Sequence, residues 1–513
     1  MLILCLGSEY FHFAFHKLGH SVMVPPHQDG LKIDNIYNSL QDRPDLIVFT
    51  DHLGVHAFPE GLSNIYGIPK VYYAVDTPIN YWWQQHFAHL FDYTFSDQKQ
   101  YAGLFNEQGV SSSWLPVAID TKSYKPESAI NQSKVYDFGF VGTLDPAVRP
   151  KRCRLVETLS NRYTLKTAGD RKEGWLSPAE SSQLYRQSKL ALNECLFPGV
   201  TTRMLEAMAA GTVLFTEKAG GDLGELFKPG EDFAWFEPEE LLSAAEYWLG
   251  DDKRRRRAAK KSFDKVYANH DIVNRAETLI STMRTVHFGS ASVDSQAWDH
   301  EGQAMFLTAL RWPNEAGQAR MVRAERLLSQ ANDASTISPM GLFTLGHINR
   351  MRHNLEKAAK FLTSAYEQGE PRGALGMAIL KLSTGKCEES KLWLERFTKR
   401  DDVPTPQKDT LPLEAVKQIG GRLRELGQDV TPGFNRLPHD PAIWTAFEFY
   451  QSALRFKPDD LESLKSIAVI LKKHGAMAEA MDMAQKGLEF HPDDETLGAI
   501  YAQAGRATYL SVN

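Results

Sequence analysis

The residues best suited to chemistry lie in Gly199-Val200-Thr201-Thr202-Arg203-Met204-Leu205-Glu206-Ala207-Met208-Ala209-Ala210-Gly211. The segment follows an apolar strand pattern and opens a helix. Gly199 lets a ligand approach the backbone closely. The first helical amides, at Thr201, Thr202 and Arg203, are then available to an anion and are helped by the helix dipole. Met204, Leu205, Met208 and Ala209 form the apolar face, which leaves Arg203 and Glu206 on the opposite side. An arginine in the first turn opposes the dipole, a cost that an anion bound there would offset. Glu206 could accept two hydrogen bonds from a vicinal diol such as a ribose. The same two residues could instead form a surface ion pair, and the helix alone favours that simpler reading.

The elements that would position this segment alternate along the chain. Apolar runs at Leu2–Leu6, Ser21–Val24, Leu46–Thr50 and Val71–Val75 read as buried strands, with helical stretches between them. A second series follows at Phe138–Val141, Tyr163–Thr167, Leu190–Asn193 and Val213–Thr216. Buried strands with helical crossovers predict parallel sheets covered on both faces. The polar stretch Val117–Ser133 separates the two series. Two such domains, 1–125 and 126–290, would face a ligand with the C-terminal ends of their strands.

Beyond residue 290 the pattern is all-α. Phe456-Lys457-Pro458-Asp459-Asp460 recurs as Phe490-His491-Pro492-Asp493-Asp494, an offset of 34 residues. Ala446, Gln451 and Leu454 repeat at the same offset as Ala480, Gln485 and Leu488. That period predicts a tetratricopeptide-like helical repeat over 291–513. The proline- and glycine-rich stretch Asp401–Pro438 is expected to interrupt the array. Repeats depend mainly on their neighbours, so a truncation near His287 is expected to leave ligand binding intact.

Composition excludes several classes. The 513 residues carry a formal net charge of -6, which argues against a nucleic-acid-binding protein. The four cysteines are far apart, so neither a disulfide framework nor a metal site is expected, and a cytoplasmic setting follows. No signal peptide or membrane span is expected. The basic run Lys253-Arg254-Arg255-Arg256-Arg257 could touch an anionic membrane surface, and a solvated helix face is its commoner meaning. Tyr72, Tyr73, Tyr81, Trp82, Trp83 and His86 could stack on a sugar, though core packing is the expectation for most of them.

The order of motifs resembles the GT-B glycosyltransferases of the group-1 type, and the CgeB-like spore-maturation branch in particular. Arg203-x-x-Glu206-Ala207-x-Ala209-x-Gly211, Phe227-x-x-Gly230-Glu231-Asp232, and His270 with Arg275 carry the resemblance in the second series. Gly67-Ile68-Pro69, Asp92-Tyr93-Thr94-Phe95-Ser96 and Leu115-Pro116-x-Ala118-x-Asp120 carry it in the first. The resemblance spans residues 1–285 and implies transfer of a sugar from a nucleotide-diphosphate donor to a hydroxyl, with no bound metal. It implies that Glu206 holds the donor ribose, and that Gly199–Thr202 and Arg203 hold the diphosphate. The Gly142-Thr143 turn would face the same cleft, with Arg149 or Arg152 reaching a phosphate or simply solvated. Many retaining relatives carry a glutamate where this chain has Pro198, so the stereochemistry is left open. An inverting enzyme needs a base, and Asp76 and then His52 stand at strand ends where one belongs. A buried structural role fits either residue equally well. The partners implied are a nucleotide sugar and a protein or glycan acceptor, which the repeats could dock. Two other readings keep the fold: a sugar-nucleotide epimerase, and a catalytically lapsed protein acting through its repeats.

Overall fold

The computed structural model describes all residues except 52–56, 125–132, 147–148, 170–173, 175, 195–198, 219–221, 287–294, 313, 399–411, 430–444, 474–475 and 509–513. His52 and Pro198 lie outside the described residues.

The apolar runs form two parallel sheets, as the continuous hydrophobicity of fully buried strands requires. The first contains β1 (Leu2–Gly7), β2 (Ser21–Met23), β3 (Leu46–Thr50), β4 (Lys70–Ala74), β5 (Tyr93–Ser96) and β6 (Ser112–Trp114), in the order β2-β1-β3-β4-β5-β6. The second contains β7 (Tyr136–Val141), β8 (Leu165–Ala168), β9 (Ser188–Asn193), β10 (Val213–Glu217) and β11 (Ala234–Phe236), in the order β11-β10-β9-β7-β8. Strands β5, β6 and β11 were not expected. They have only three or four residues each, and β5 and β6 carry Thr94, Ser96, Ser112 and Ser113 in place of an apolar run.

The chain crosses between the halves twice. After β6, Ile119 bridges to Asp271 beside the helix Ile272–Met283. That helix leaves the second half and packs Ile272, Ala276, Leu279 and Ile280 on Phe11, Phe15 and Val71 of the first. Arg275 holds the crossing by donating to the Pro116 carbonyl at 2.7 Å and pairing with His270 Nδ1 at 2.7 Å.

The rest of the described chain is helical. Asp460 Oδ2 accepts from the Ser463 amide at 3.0 Å and Asp494 Oδ1 from the Leu497 amide at 2.9 Å, so each aspartate of the repeated motif caps the helix after it. Those helices, Leu461–Lys473 and Glu495–Thr508, start at the same 34-residue offset. The expected interruption contains a helix, Pro412–Glu425, whose Ile419 and Leu423 share a buried core with Phe447 and Ile467. The helical region also packs on the first half, so the two are joined in stability whatever their separation in ligand binding. Met305, Phe306, Leu327 and Leu345 share one core with Phe58, Trp83 and Phe87 of the first half. Among the described residues, no helix is long and apolar enough to cross a membrane.

Candidate active site

The second sheet has a topological switch point, because β8 and β9 flank β7 on opposite sides. Open parallel sheets bind ligands outside the strand C-termini at such a point. Gly142 follows β7 there with φ 146°, and a Cβ on it would lie 2.7 Å from the Arg203 guanidinium. Arg203 reaches across the switch point. Its Nε donates to the Val141 carbonyl at 2.8 Å, its Nη1 approaches Asn193 Oδ1 at 3.4 Å, and its guanidinium lies 5.2 Å from the centre of the Phe140 ring. Among the described residues no ion pair joins Arg203 to Glu206, so the surface-pair reading is not what the structure shows.

Beside it, Arg152 lies 5.3 Å from the centre of the same ring. It is 4% exposed, contacts Glu194 Oε2 at 3.0 Å and donates to the Thr143 carbonyl at 3.1 Å. Burial and the nearby charge of Arg203 push it down to about 10, against the pull of Glu194. Arg149 precedes the helix Pro150–Ser160. The helix Thr202–Ala209 starts at Thr201, which places no side-chain cap on the first amides. Its Ala207, Met208 and Ala209 are fully buried and fix the direction of its N-terminus.

The first half supplies the opposite wall. Asp76 follows β4 in the left-handed region at φ 51°, a costly conformation for a residue other than glycine. Its N–H donates to Asp97 Oδ2 at 2.9 Å, and the Thr77 hydroxyl donates to Asp97 Oδ1 at 2.8 Å. The Asp76 carboxyl itself is open to the cleft. Protein mass on its other sides pushes its pKa up, and the charge of Arg149 pulls it down. Burial and the neighbouring Asp76 raise Asp97 to about 7.

These walls enclose a cavity of about 230 Å³. Asp76 and Gln98 line it from one side, and Arg149, Arg152, Glu194, Gly199, Thr201, Thr202 and Arg203 from the other. The structure thus brings together Asp76, Arg149, Gly199, Thr201, Thr202 and Arg203, with the Gly142-Thr143 turn against Arg203 and Arg152. Glu206 lies one turn further on and is not among the lining residues. Burial raises its pKa, while the charge of Arg203 and a hydrogen bond from Tyr124 lower it. The sequence reading missed Asp97, Gln98 and Tyr124 and did not foresee the pairing of Glu194. Asp97 and Gln98 directly follow β5, whose polar Thr94 and Ser96 hid the strand end that would have marked them.

The other candidates are structural. Asp51 is 5% exposed and accepts from the Tyr72 hydroxyl, the Val75 amide and Gln84 at 2.6–3.1 Å. Tyr72, Tyr73, Trp82 and Trp83 are core residues. In the basic run, Arg255 is buried on the Trp248 carbonyl and Asp252, and Arg254 donates to the Tyr247 carbonyl. Among the described residues, no group of three or more His, Cys, Asp or Glu is placed to hold a metal.

Two parallel α/β halves with a basic, helix-capped cleft between their strand ends define a class of ligand-binding architecture. Within it, residues 149–281 match the family model described as Glycosyl transferase-like, so this stretch is a glycosyltransferase-like domain. No curated protein matches the chain. Among solved structures, sucrose-phosphate synthase from Thermosynechococcus elongatus is 13% identical with a TM-score of 0.41, covering 56% of this chain and 100% of that one. Anabaena HepE in complex with UDP is 14% identical with a TM-score of 0.39 over 56% and 100%. The pneumococcal O-GlcNAc transferase GtfA in complex with UDP and GlcNAc is 12% identical, with a TM-score of 0.34 over 47% and 56%.

Proposed function

We propose that the cleft transfers a glycosyl group from a nucleotide-diphosphate sugar to an acceptor hydroxyl. The observation that carries this reading is the convergence of Arg149, Arg152, Arg203 and an open helix N-terminus on one cavity wall, with Asp76 facing them. Three guanidiniums and free amides suit a diphosphate, whose charge grows as the sugar leaves.

In this reading, Asp76 takes the proton of the acceptor hydroxyl as its oxygen bonds to the sugar C1. The bond from C1 to the diphosphate oxygen breaks, and the arginines neutralise the departing charge. Glu206, oriented by Tyr124, holds the ribose of the donor. No step needs a bound metal. Residues 291–513 would be tetratricopeptide-like repeats that dock a protein or glycan acceptor.

The test is a thermal-shift and calorimetric screen against nucleoside diphosphates. A ligand at 100 times its Kd adds about 2.7 kcal/mol of stability. Arg203→Ala should weaken a diphosphate more than the bare nucleoside. Equal losses for both would remove Arg203 from the phosphate site, and no response to any nucleoside diphosphate would overturn the reading.

A further inference from the structure

Besides the bonds of Lys99, two sets of described hydrogen bonds join the halves. One is the crossing at Ile119, where Ile272 donates to the Ile119 carbonyl at 2.9 Å and the Thr121 hydroxyl donates to Asp271 at 2.5 Å. The other lies at the cleft itself. Gln98 Nε2 donates to the Val200 carbonyl at 3.1 Å, and the Val200 amide donates to Gln98 Oε1 at 3.1 Å. The second Nε2 hydrogen is directed to Asp97 Oδ2 at 3.2 Å. Gln98 is 7% exposed and its donors are fully used.

We infer that Gln98 is a positioning residue that sets the Gly199–Arg203 turn of one half against the Asp76–Asp97 turn of the other. Only a side chain with both an amide donor and a carbonyl acceptor, at this length, closes both bonds to one residue's backbone. Glutamate lacks the donor, and asparagine is one methylene short. Gly199 provides the seat: its φ is +143°, and a Cβ there would lie 1.7 Å from Gln98 Oε1. On the other side, Asp97 holds the left-handed Asp76 through its N–H and through both Thr77 donors. The next residue, Lys99, reaches Asp222 through its own amide at 3.1 Å. One short loop after β5 therefore ties the anion-binding turn to the acceptor-side carboxylate. Its consequence for catalysis rests on the reading of the cleft as a donor site, whereas the tie itself does not.

The experiment separates these two. In ligand-free protein, Gln98→Ala should raise hydrogen exchange at residues 199–204 while β9 and β10 keep their protection. Donor hydrolysis measured with UDP-glucose should fall at least about tenfold in kcat, because misplacement by an ångström costs that much or more. The Kd for UDP should change far less, since the arginines remain.

Gln98→Glu supplies a readout that a purely structural role would not move. The groups facing position 98 are Asp97 and Asp76 on its own half, and Arg149, Arg152, Arg203 and Glu194 across the cleft. At pH 8 the ionised carboxylate introduced at position 98 cannot donate to Val200 and repels Asp97, so the variant should match Gln98→Ala or do worse. At the acid end of the pH range, where the introduced carboxyl is protonated, a neutral acid restores a donor, and activity relative to wild type should recover there in Gln98→Glu but not in Gln98→Ala. Unchanged exchange at 199–204 in Gln98→Ala, or a Gln98→Glu activity ratio flat across pH, overturns the inference. Increased exchange with no binding of any nucleoside diphosphate would sink the proposed function and leave the tie standing.

Discussion

The two α/β halves differ in what completes them. The buried clusters of the second half are made of residues between Val117 and Val266, with Trp114 of β6 packed against their edge. The first half is finished by a region more than 200 residues further along the chain. Phe58, Trp83 and Phe87 pack with Phe306, Leu327 and Leu345, and Arg323 donates to the Phe58 carbonyl at 3.1 Å while paired with the buried Glu301. Arg320 meets Asp29 at 2.9 Å and Arg326 meets Glu60 at 2.5 Å. The half holding Asp76 and Gln98 therefore shares a buried core with the helical region, whereas the second half meets it at Pro238–Glu240, beside the helix Glu495–Thr508. Sequence distance is a poor guide to which parts fold together.

The strongest way to break this contrast is truncation. A chain ending at Val286 loses the helices that cover Phe58, Trp82 and Trp83, and exposes a large apolar face. We expect aggregation or loss of cooperative unfolding in the first half. A chain ending at Asp429 keeps the helices that cover Phe58, Trp82 and Trp83, and should keep the unfolding transition of the α/β region. A soluble 1–286 protein that melts like the full chain would refute the dependence.

A finer probe is Arg323→Ala. It leaves Glu301, 0% exposed, without its partner, a loss of about 3–5 kcal/mol. Denaturant unfolding should show it, and Arg323→Met combined with Glu301→Leu should recover most of it. If the single variant costs under about 1 kcal/mol, the pair behaves as a surface pair and the interface is not dry.

The same interface should weaken in acid. His89 and His300 stack at 3.9 Å between ring centres, and burial pushes His86 and His300 down to about 3. Facing them are one another and Arg372. The unfolded histidines bind protons near pH 6.5 and the folded ones do not. Their contribution is therefore full above that pH and is lost as pH falls from 6.5 toward 3. Asp51 and Asp97, raised to about 7 by burial, act in the opposite sense between pH 7 and 4. Comparison with His300→Gln cancels those carboxylates. The variant should lose less stability than wild type between pH 6.5 and 4, and equal losses would place the acid sensitivity elsewhere.

Much of this was legible in the sequence, for identifiable reasons. Apolar runs marked eight of the eleven described strands, most plainly the central ones such as β1, β3 and β10, which are buried on both faces. Gly199, Arg203 and Gly142 were legible because a glycine before a helix and an arginine against the dipole each have a local cost. Gln98 and Asp97 carry no such local signature, and their roles emerge only when Val200, 102 residues away, arrives beside them. The pairing of Glu194 with Arg152 is hidden for the same reason. The shared core of the first half and the helical region is invisible to a 34-residue period, which reports neighbours in the repeat and not the surface it lies on.

The smallest effect belongs to the other contact between the halves. Lys99 Nζ meets Glu225 Oε1 at 2.6 Å, with both side chains about half exposed, at 49% and 48%. Water screens the pair, and holding two long side chains in one geometry costs entropy. Lys99→Ala should therefore change stability by at most about 1 kcal/mol, shrinking further in high salt. Its backbone bond to Asp222 survives the substitution, so the loop after β5 should stay in place. Hydrogen exchange at residues 199–204 should accordingly match wild type in Lys99→Ala and differ in Gln98→Ala. The two variants sit one residue apart in the same loop, so local disturbance of that loop cannot account for the difference. Exchange raised equally in both would mean that the loop as a whole, and not the buried carboxamide, holds the halves together.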